Sequence, residues 1–230
     1  FKQKTAYEIP LRLVGSEMCI RDRYTNDLCV IHFDAVMHFV GTYQFGIDSL
    51  DKQQTLNKSI LDFNPIEIFT SKVRVVGNLP YNLSTPIMFW SFKYLGNFYD
   101  MHFMLQKEFG ERLIAKNDNK DFGRITIITQ YLTKPEYCFL ISPESFSPKP
   151  KVESVFIKFN PIAGRSINDP VAIRLQEVTR IAFMHKRKMV GKSLEKIISS
   201  EELDDLGIDR KCRPENISVE DYVKISGALI

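Results

Sequence analysis

The chain has 230 residues, of which 44% are hydrophobic and 26% are charged, and its formal net charge is +3. These values exclude a disordered chain and allow one large domain, or one domain with a small appendage. No apolar run reaches the roughly 18 residues of a membrane span, and no signal peptide is evident, so we expect a cytoplasmic protein. The four cysteines form no Cys-x-x-Cys pair and the four histidines are scattered, so no metal site is predicted.

The beginning of the chain carries little pattern. Residues 13–23 look like translated adapter sequence, and we expect the segment 1–27 to be non-native. The initiator Met is absent, which predicts an N-terminally truncated or corrupted sequence. Strand-like patterns follow at residues 29–34 and 55–61.

The most informative stretch is an apolar run at residues 73–76 that a Gly-Asn-Leu-Pro break stops before Tyr81. It predicts a buried strand that ends in a polar turn. Such a turn can hold an adenine. The side-chain carbonyl of Asn78 and the backbone carbonyl of Pro80 would accept hydrogen bonds from the exocyclic amine, and Tyr81 would offer a flat face. Taken alone, the same residues also fit a strand end with a Pro-containing loop and a core tyrosine.

The rest of the chain alternates strands with helices and then becomes helical. Helices are predicted from Thr85 to near Gly96, at 106–116 and from about 124 to 132, with strands at 101–105, 136–141 and 152–159. Further helices are predicted at 170–184, 186–198, 201–206 and 218–229. The alternation favours an α/β sheet, with a catalytic domain at 28–162 and a separate helical domain at 170–230.

Four segments together resemble the KsgA-type ribosomal RNA adenine dimethyltransferases. They contain VGNLPYNLSTP at 76–86, FMLQKE at 103–108, FSPKPKVES at 146–154, and KRK at 186–188 followed by PENIS at 214–218. In order and spacing they cover roughly residues 55–230. The resemblance implies a Rossmann-like S-adenosylmethionine-dependent methyltransferase sheet and a small all-helical C-terminal domain that binds RNA.

The family transfers methyl groups to N6 of two adjacent adenosines in the 3′-terminal hairpin of small-subunit ribosomal RNA during ribosome biogenesis. By this likeness Asn78 and Pro80 would hold the target amine, Tyr81 would stack on the base, and Phe146 would close its opposite face. Without the likeness, Phe146 reads as an anchor for the Pro-rich loop. The implied partner is the immature small ribosomal subunit, and we expect a monomer.

Two basic groups are candidates for contact with the RNA backbone. Lys149 and Lys151 lie on the predicted exposed loop, and Lys186, Arg187 and Lys188, with Lys192, lie at a predicted helix start. Such contacts would position the RNA without reading its sequence. As a bare charge run, the second group also fits a solvated face. The family usually has Arg-Asn where this chain has Gly191 and Lys192.

The match fails at the cofactor residues. The family's glycine-rich first loop has no counterpart here. His32 takes the place of the acidic residue that holds the ribose hydroxyls, and Ser59 takes the place of an Asp near the adenine amino group. Both are weaker acceptors than a carboxylate, so of these cofactor contacts only Asn78 is intact. We therefore expect this chain to bind S-adenosylmethionine weakly or not at all.

Two alternatives remain open. One is a methyltransferase that modifies large-subunit ribosomal RNA and confers antibiotic resistance. The FMLQKE segment at 103–108 and the long helical tail favour the small-subunit enzyme. The other is a non-catalytic RNA- or DNA-binding relative of the same fold. The lost cofactor residues suit that alternative, but the intact turn at 78–81 does not.

Overall fold

The chain forms two compact units. A computed structural model describes residues 30–33, 44–48, 53–57, 59–146 and 149–230, so the segment predicted to be non-native, 1–27, lies outside the described residues. The first unit contains the described residues up to Gly110 together with Glu136–Pro161, and the second contains Glu111–Pro135 and Ile162–Ile230. The predicted domains, 28–162 and 170–230, stay predictions. The compact units differ from them in grouping Glu111–Pro135 with the helical segment.

Within the described residues the first unit is built on one seven-stranded sheet of order β3-β2-β1-β4-β5-β7-β6. The strands are β1 (Val30–Phe33), β2 (Gln44–Asp48), β3 (Gln53–Asn57), β4 (Val73–Asn78), β5 (Phe98–Gln106), β6 (Thr133–Ile141) and β7 (Ser154–Pro161). β1, β4 and β5 run parallel. β7 runs antiparallel to β5, and β2 runs antiparallel to β1 and β3. The sequence pattern did not predict β2.

One face of the central strands is fully apolar. Its side chains alternate along β4, β5 and β7, as the period of a strand requires, and all of them are buried: Val73, Val75, Met101, Phe103, Ile157 and Phe159. The opposite face carries the polar groups described below. The three central strands therefore have a fixed register, because a slip by one residue would expose the apolar set.

Two helices belong largely to this unit, α1 (Ser84–Lys93) and α2 (Lys107–Leu113). In α1 the chain's one tryptophan, Trp90, is buried and donates from Nε1 to the carbonyl of Phe63 at 2.8 Å. α2 follows β5 without a break. At Gly110 a Cβ would overlap Cγ2 of Val155, so α2 approaches β7 at a point where only glycine fits without a shift.

The second unit is helical. It contains α3 (Arg124–Leu132), α4 (Pro170–Met184), α5 (Val190–Ser193), α6 (Ser200–Asp205) and α7 (Val219–Ala228). α3, α4 and α7 pack on one another, and Tyr222 is fully buried there with its hydroxyl donating to the Pro214 carbonyl at 2.9 Å. Side chains cap the helices, because Asp169 and Ser218 each accept from a first-turn N–H.

The prediction of a helix at 186–198 is wrong. Only Val190–Ser193 is helical, and residues 185–188 form a turn in which the Lys188 N–H donates to the His185 carbonyl at 2.8 Å. The N–H groups of Val190 and Gly191 donate to carbonyls of the segment 210–212. That pairing satisfies the backbone without a long helix. The basic cluster 186–188 therefore lies on a turn rather than at a helix start.

In the part of the chain that the structure describes, no helix combines the length and the apolarity that a bilayer crossing requires.

Candidate functional site

The predicted turn lies at the carboxyl end of β4. Asn78 is the last residue of the strand and pairs in register with Met104 of β5. The N–H of Leu79 continues the pairing by donating to the Met104 carbonyl at 3.0 Å. Tyr81–Leu83 then form a 3₁₀ turn that leads into α1. Asn78 is partly exposed at the edge where the parallel strands end, which is where open α/β sheets bind ligands.

The Pro80 carbonyl does not match its predicted role as an acceptor for the substrate amine. It already accepts from the Leu83 N–H at 2.9 Å and from the Ser84 hydroxyl at 3.1 Å, which uses both lone pairs. The Leu79 carbonyl receives no hydrogen bond from the described residues, although Leu79 is only 1% exposed. The Leu79 carbonyl is thus an available acceptor next to Asn78, because the Leu83 N–H and the Ser84 hydroxyl both donate to Pro80 instead.

Tyr81 presents its ring at the surface. The side chain is 42% exposed, and its hydroxyl lies 3.0 Å from Oγ of Ser154 at the start of β7. A flat aromatic face beside two acceptors is an arrangement that can hold a base.

Phe146 packs against the buried cluster of Met104, Ile141 and Phe156. Since Met104 is the register partner of Asn78, Phe146 and Asn78 adjoin the same cluster in the sheet unit. This contact anchors the loop that follows Phe146, of which Ser147 and Pro148 lie outside the described residues. Closing the opposite face of a base stays a prediction for Phe146.

A buried charge network lies on the same sheet face as Asn78. Arg74 of β4 binds Asp100 of β5 through two hydrogen bonds of 2.5 and 2.7 Å. His102 Nε2 is 3.4 Å from the same carboxylate, although no described group meets hydrogen-bond geometry with that nitrogen. Burial alone raises the pKa of Asp100, but His102 and Arg74 outweigh it and hold the pKa of this carboxyl well below its usual range. The network joins β4 to β5 just before the turn.

A second tie joins the start of β7 to the end of β5. The Lys107 N–H donates to the Glu153 carbonyl at 2.9 Å, and the Lys107 ammonium pairs with the Glu153 carboxylate at 2.7 Å. These residues come from FMLQKE and FSPKPKVES, which the sequence alone could not place together. The structure brings both segments to the turn at 78–81.

The roles predicted for His32 and Ser59 in holding the cofactor stay predictions. His32 lies in β1 opposite Val76 in the register. The Ser59 hydroxyl caps a 3₁₀ turn by accepting from the Leu61 N–H at 3.2 Å. That bond takes up part of an acceptor capacity already smaller than a carboxylate's. An imidazole and a capping hydroxyl therefore stand where two carboxylates are expected.

The first group of basic candidates is partly paired. The ammonium of Lys149 binds the carboxylate of Glu144 at 2.5 Å, with both side chains mostly exposed. Lys151 is exposed. These lysines belong to the sheet unit.

The second group surrounds the turn 185–188 in the helical unit. Lys186 donates to the Lys120 carbonyl at 2.8 Å, and Lys192 lies 3.5 Å from the Glu195 carboxylate. Arg187 and Lys188 are exposed, and no carboxylate in the described ranges lies within ion-pair distance of either. Residues 184–188 line a shallow depression of about 250 Å³.

Sequence reasoning missed further basic residues beside this turn. Arg210, Lys211 and Arg213 are exposed, and the Arg210 carbonyl accepts from the Gly191 N–H at 3.0 Å. A Cβ at Gly191 would lie 2.9 Å from Cβ of Arg210, so the glycine lets the segment approach. The charge run was visible in the sequence, but its place against residues 190–191 was not.

The profile of the family described as Ribosomal RNA adenine dimethylase matches residues 28–230. The chain belongs to this family. The predicted resemblance is confirmed, and relatives named Ribosomal RNA small subunit methyltransferase A agree with it. The one from Dechloromonas aromatica is 43% identical over 157 residues, which is 68% of this chain and 62% of the relative. The one from Coxiella burnetii is 42% identical over 173 residues, or 74% and 66%. The chain thus spans less than two thirds of either relative.

Two solved structures support the fold. A dimethyladenosine transferase from Plasmodium falciparum has a TM-score of 0.63 at 22% identity, covering 74% of this chain and 70% of that one. The 23S rRNA methyltransferase ErmE has a TM-score of 0.59 at 19% identity, covering 76% and 70%. The predicted fold class, a Rossmann-like methyltransferase sheet with a helical region, is confirmed.

Proposed function

We propose that this protein is a ribosomal RNA adenine-N6,N6 dimethyltransferase that uses S-adenosylmethionine. Its substrate would be two adjacent adenosines in the 3′-terminal hairpin of small-subunit RNA during ribosome biogenesis. The observation that carries the proposal is the turn after β4. There the partly exposed Asn78 is followed by the Leu79 carbonyl, which receives no hydrogen bond from the described residues, and by the exposed Tyr81. The names of the relatives support the small subunit as the source of the RNA.

The arrangement addresses the chemistry of the acceptor. An exocyclic adenine amine is a poor nucleophile because its lone pair is delocalised into the ring. Two carbonyl acceptors favour a tetrahedral nitrogen and so free the lone pair for attack. In our proposal the acceptors are the Asn78 side chain and the Leu79 backbone, since the Pro80 carbonyl is already used twice. The contribution is positional and electrostatic, and no strong base is needed.

The RNA itself would be held through its phosphates. Arg187 and Lys188 are exposed cations with no carboxylate in ion-pair distance among the described residues, and Arg210 and Lys211 extend the same basic surface. Phosphate contacts set position but carry no sequence information. Selection would come from unstacking the adenine, which costs a few kcal/mol and favours single-stranded loops.

We propose that this chain binds S-adenosylmethionine weakly, because an imidazole at His32 and a capping hydroxyl at Ser59 replace carboxylates. Calorimetric titration that gives micromolar affinity for the 230-residue chain would refute this part. Restoring the acids in a His32→Glu, Ser59→Asp variant should tighten binding by about tenfold or more, since a hydrogen bond to a charged group contributes about 1.5–3 kcal/mol.

A methylation assay tests the whole proposal. The chain is incubated with millimolar S-adenosylmethionine and either immature small-subunit particles or naked large-subunit RNA, and dimethyladenosine is quantified by mass spectrometry. We expect modification of the small-subunit particles alone. Modification of the large-subunit RNA alone would support the resistance-type alternative. RNA binding without any methyl transfer, even in the His32→Glu, Ser59→Asp variant, would favour a binding protein.

A further inference from the structure

We propose that Ser154 is a positioning residue that fixes the Tyr81 ring for stacking on the target adenine. The inference rests on the proposed function, in which Tyr81 meets the base. The pair comes from two segments that are far apart in sequence, because Tyr81 follows β4 and Ser154 opens β7. Their hydroxyl oxygens lie 3.0 Å apart, and either hydroxyl can donate.

The hydrogen bond between the Tyr81 and Ser154 hydroxyls, called the tether below, constrains a side chain that would otherwise rotate. Tyr81 is 42% exposed, and exposed side chains change rotamer within nanoseconds. The backbone of Tyr81 is held in a 3₁₀ turn whose Leu83 N–H bonds back to Pro80. With the phenol oxygen also bonded, the ring is fixed at both ends. It therefore presents one face in one orientation before any base arrives.

The other end of the tether is rigid. Ser154 is 1% exposed and pairs in register with Gln106 of β5. The preceding residue, Glu153, is held by Lys107 through a backbone hydrogen bond of 2.9 Å and an ion pair of 2.7 Å. The following residue, Val155, packs against Gly110 of α2. The position of Ser154 is thus fixed by its neighbours, and its hydroxyl sets the orientation of the Tyr81 ring.

A fixed ring matters because stacking needs a defined plane. Ordering a free side chain when the base binds costs conformational free energy, and a ring that is ordered beforehand avoids that cost. Removing the tether should therefore weaken stacking without removing the aromatic surface. A net hydrogen bond of this kind corresponds to a loss of about 3- to 10-fold in affinity.

The experiment measures stacking directly and needs no cofactor. A small-subunit hairpin RNA carries 2-aminopurine at the target adenosine, and its quenching and affinity are measured against the wild-type chain and four variants. Three of these are Ser154→Ala, Tyr81→Phe and their combination, and the fourth is Tyr81→Ala. Ser91→Ala is the matched control, because Ser91 is also fully buried in the sheet unit and its hydroxyl donates to the Met88 carbonyl.

We expect Ser154→Ala and Tyr81→Phe to weaken binding equally, by about 3- to 10-fold, and the combination to weaken it no further, since each change removes the same bond. Tyr81→Ala should abolish quenching, and Ser91→Ala should leave it unchanged. If Ser154→Ala leaves quenching unaltered while Tyr81→Ala abolishes it, the proposed role of Ser154 is overturned and that of Tyr81 is not. Unaltered quenching in Tyr81→Ala would overturn the proposed role of Tyr81 itself. A loss that is equal in Ser91→Ala would show a stability effect and would also count against the tether.

Discussion

The turn at 78–81 and the turn at 185–188 differ in how firmly the surrounding protein holds them. The first follows a buried strand and is tied to β5 and β7 by backbone and side-chain hydrogen bonds. The second is exposed throughout, and no carboxylate among the described residues lies within ion-pair distance of Arg187 or Lys188. Holding an amine for reaction requires atoms placed to fractions of an ångström. Attracting phosphates requires only charge that solvent can reach. If the two turns carry out the tasks we propose for them, the first needs far more structural support than the second.

The largest expected effect is the loss of stability when the buried Arg74–Asp100 pair, which joins β4 to β5 before the first turn, is broken. Asp100→Asn should lower the free energy of unfolding by about 3 kcal/mol or more, because it removes the carboxylate charge that two hydrogen bonds place on the buried Arg74 guanidinium. The measurement is chemical denaturation followed by the fluorescence of Trp90, which is buried in the same unit. Glu144→Gln is the control, since it breaks an exposed pair with Lys149 and should change the stability little. Equal losses would mean that the buried network gives no special support.

The same network predicts a dependence on pH. The pKa of Asp100 lies below its usual range in the folded chain, so the unfolded chain binds the proton more readily. The stabilisation is therefore fully present above the unfolded pKa, and it is lost as the pH falls through the folded pKa. The stability difference between wild type and Asp100→Asn should shrink as the pH falls below about 4. A difference that grows on acidification would contradict the assignment.

A smaller expected effect tests the turn itself. Asn78→Ala should reduce methyl transfer by about 100-fold, comparable to the loss of one preorganised polar group in an active site, in the His32→Glu, Ser59→Asp background where cofactor binding is strengthened. RNA affinity and Trp90-detected stability should change little, because Asn78 is partly exposed. Retention of more than about a tenth of the activity would show that Asn78 does not hold the amine.

Packing beside β7 gives an effect of about 1–3 kcal/mol. Gly110→Ala should destabilise the sheet unit, because the new methyl group overlaps Val155 and outweighs the gain in helix propensity. Gly96→Ala is the matched control, since nothing lies within 4 Å of its added Cβ. Trp90 fluorescence reports both variants. A Gly110→Ala chain as stable as Gly96→Ala would show that β7 yields at this contact.

The smallest effect concerns the second turn. Replacing Arg187 and Lys188 by Gln should weaken RNA binding about equally for all sequences and reduce the slope of log affinity against log salt by about 2. Lys211→Gln should act similarly, whereas Arg210→Gln should have a smaller effect because Arg210 is paired with Asp204 at 3.7 Å. Lys224→Gln is the control, because Lys224 is paired with Asp221 at 2.6 Å. A sequence-dependent loss would mean that this turn reads bases after all.

Much of the fold could be predicted because local pattern and burial agree. The apolar run 73–76 gave β4, and the helical patterns at 170–184 and 218–229 gave α4 and α7, close to their observed bounds. The helix at 186–198 failed because the apolar residues Val190, Leu194 and Ile198 are buried by short turns instead. The spacing of these three residues is compatible with one long helix and also with a series of short turns.

The site was predictable in its residue types and not in its bonding. The sequence indicates that an asparagine, a carbonyl and a tyrosine adjoin, but it cannot show that the Pro80 carbonyl is taken by Leu83 and Ser84. Nor can it place Ser154 against Tyr81, because 73 positions separate them. Such contacts depend on tertiary register rather than on local propensity.

The interleaving of the two units has a consequence for how the chain is made. The sheet unit stops at Gly110 and resumes at Glu136, so a ribosome must translate through the start of the helical unit before β7 can pair with β5. Neither unit can be excised as one uninterrupted stretch. A fragment beginning at residue 162 would lack α3, which packs on α4 and α7, and one ending at Gly110 would leave an open edge on β5. Expression of either fragment alone should yield aggregated material.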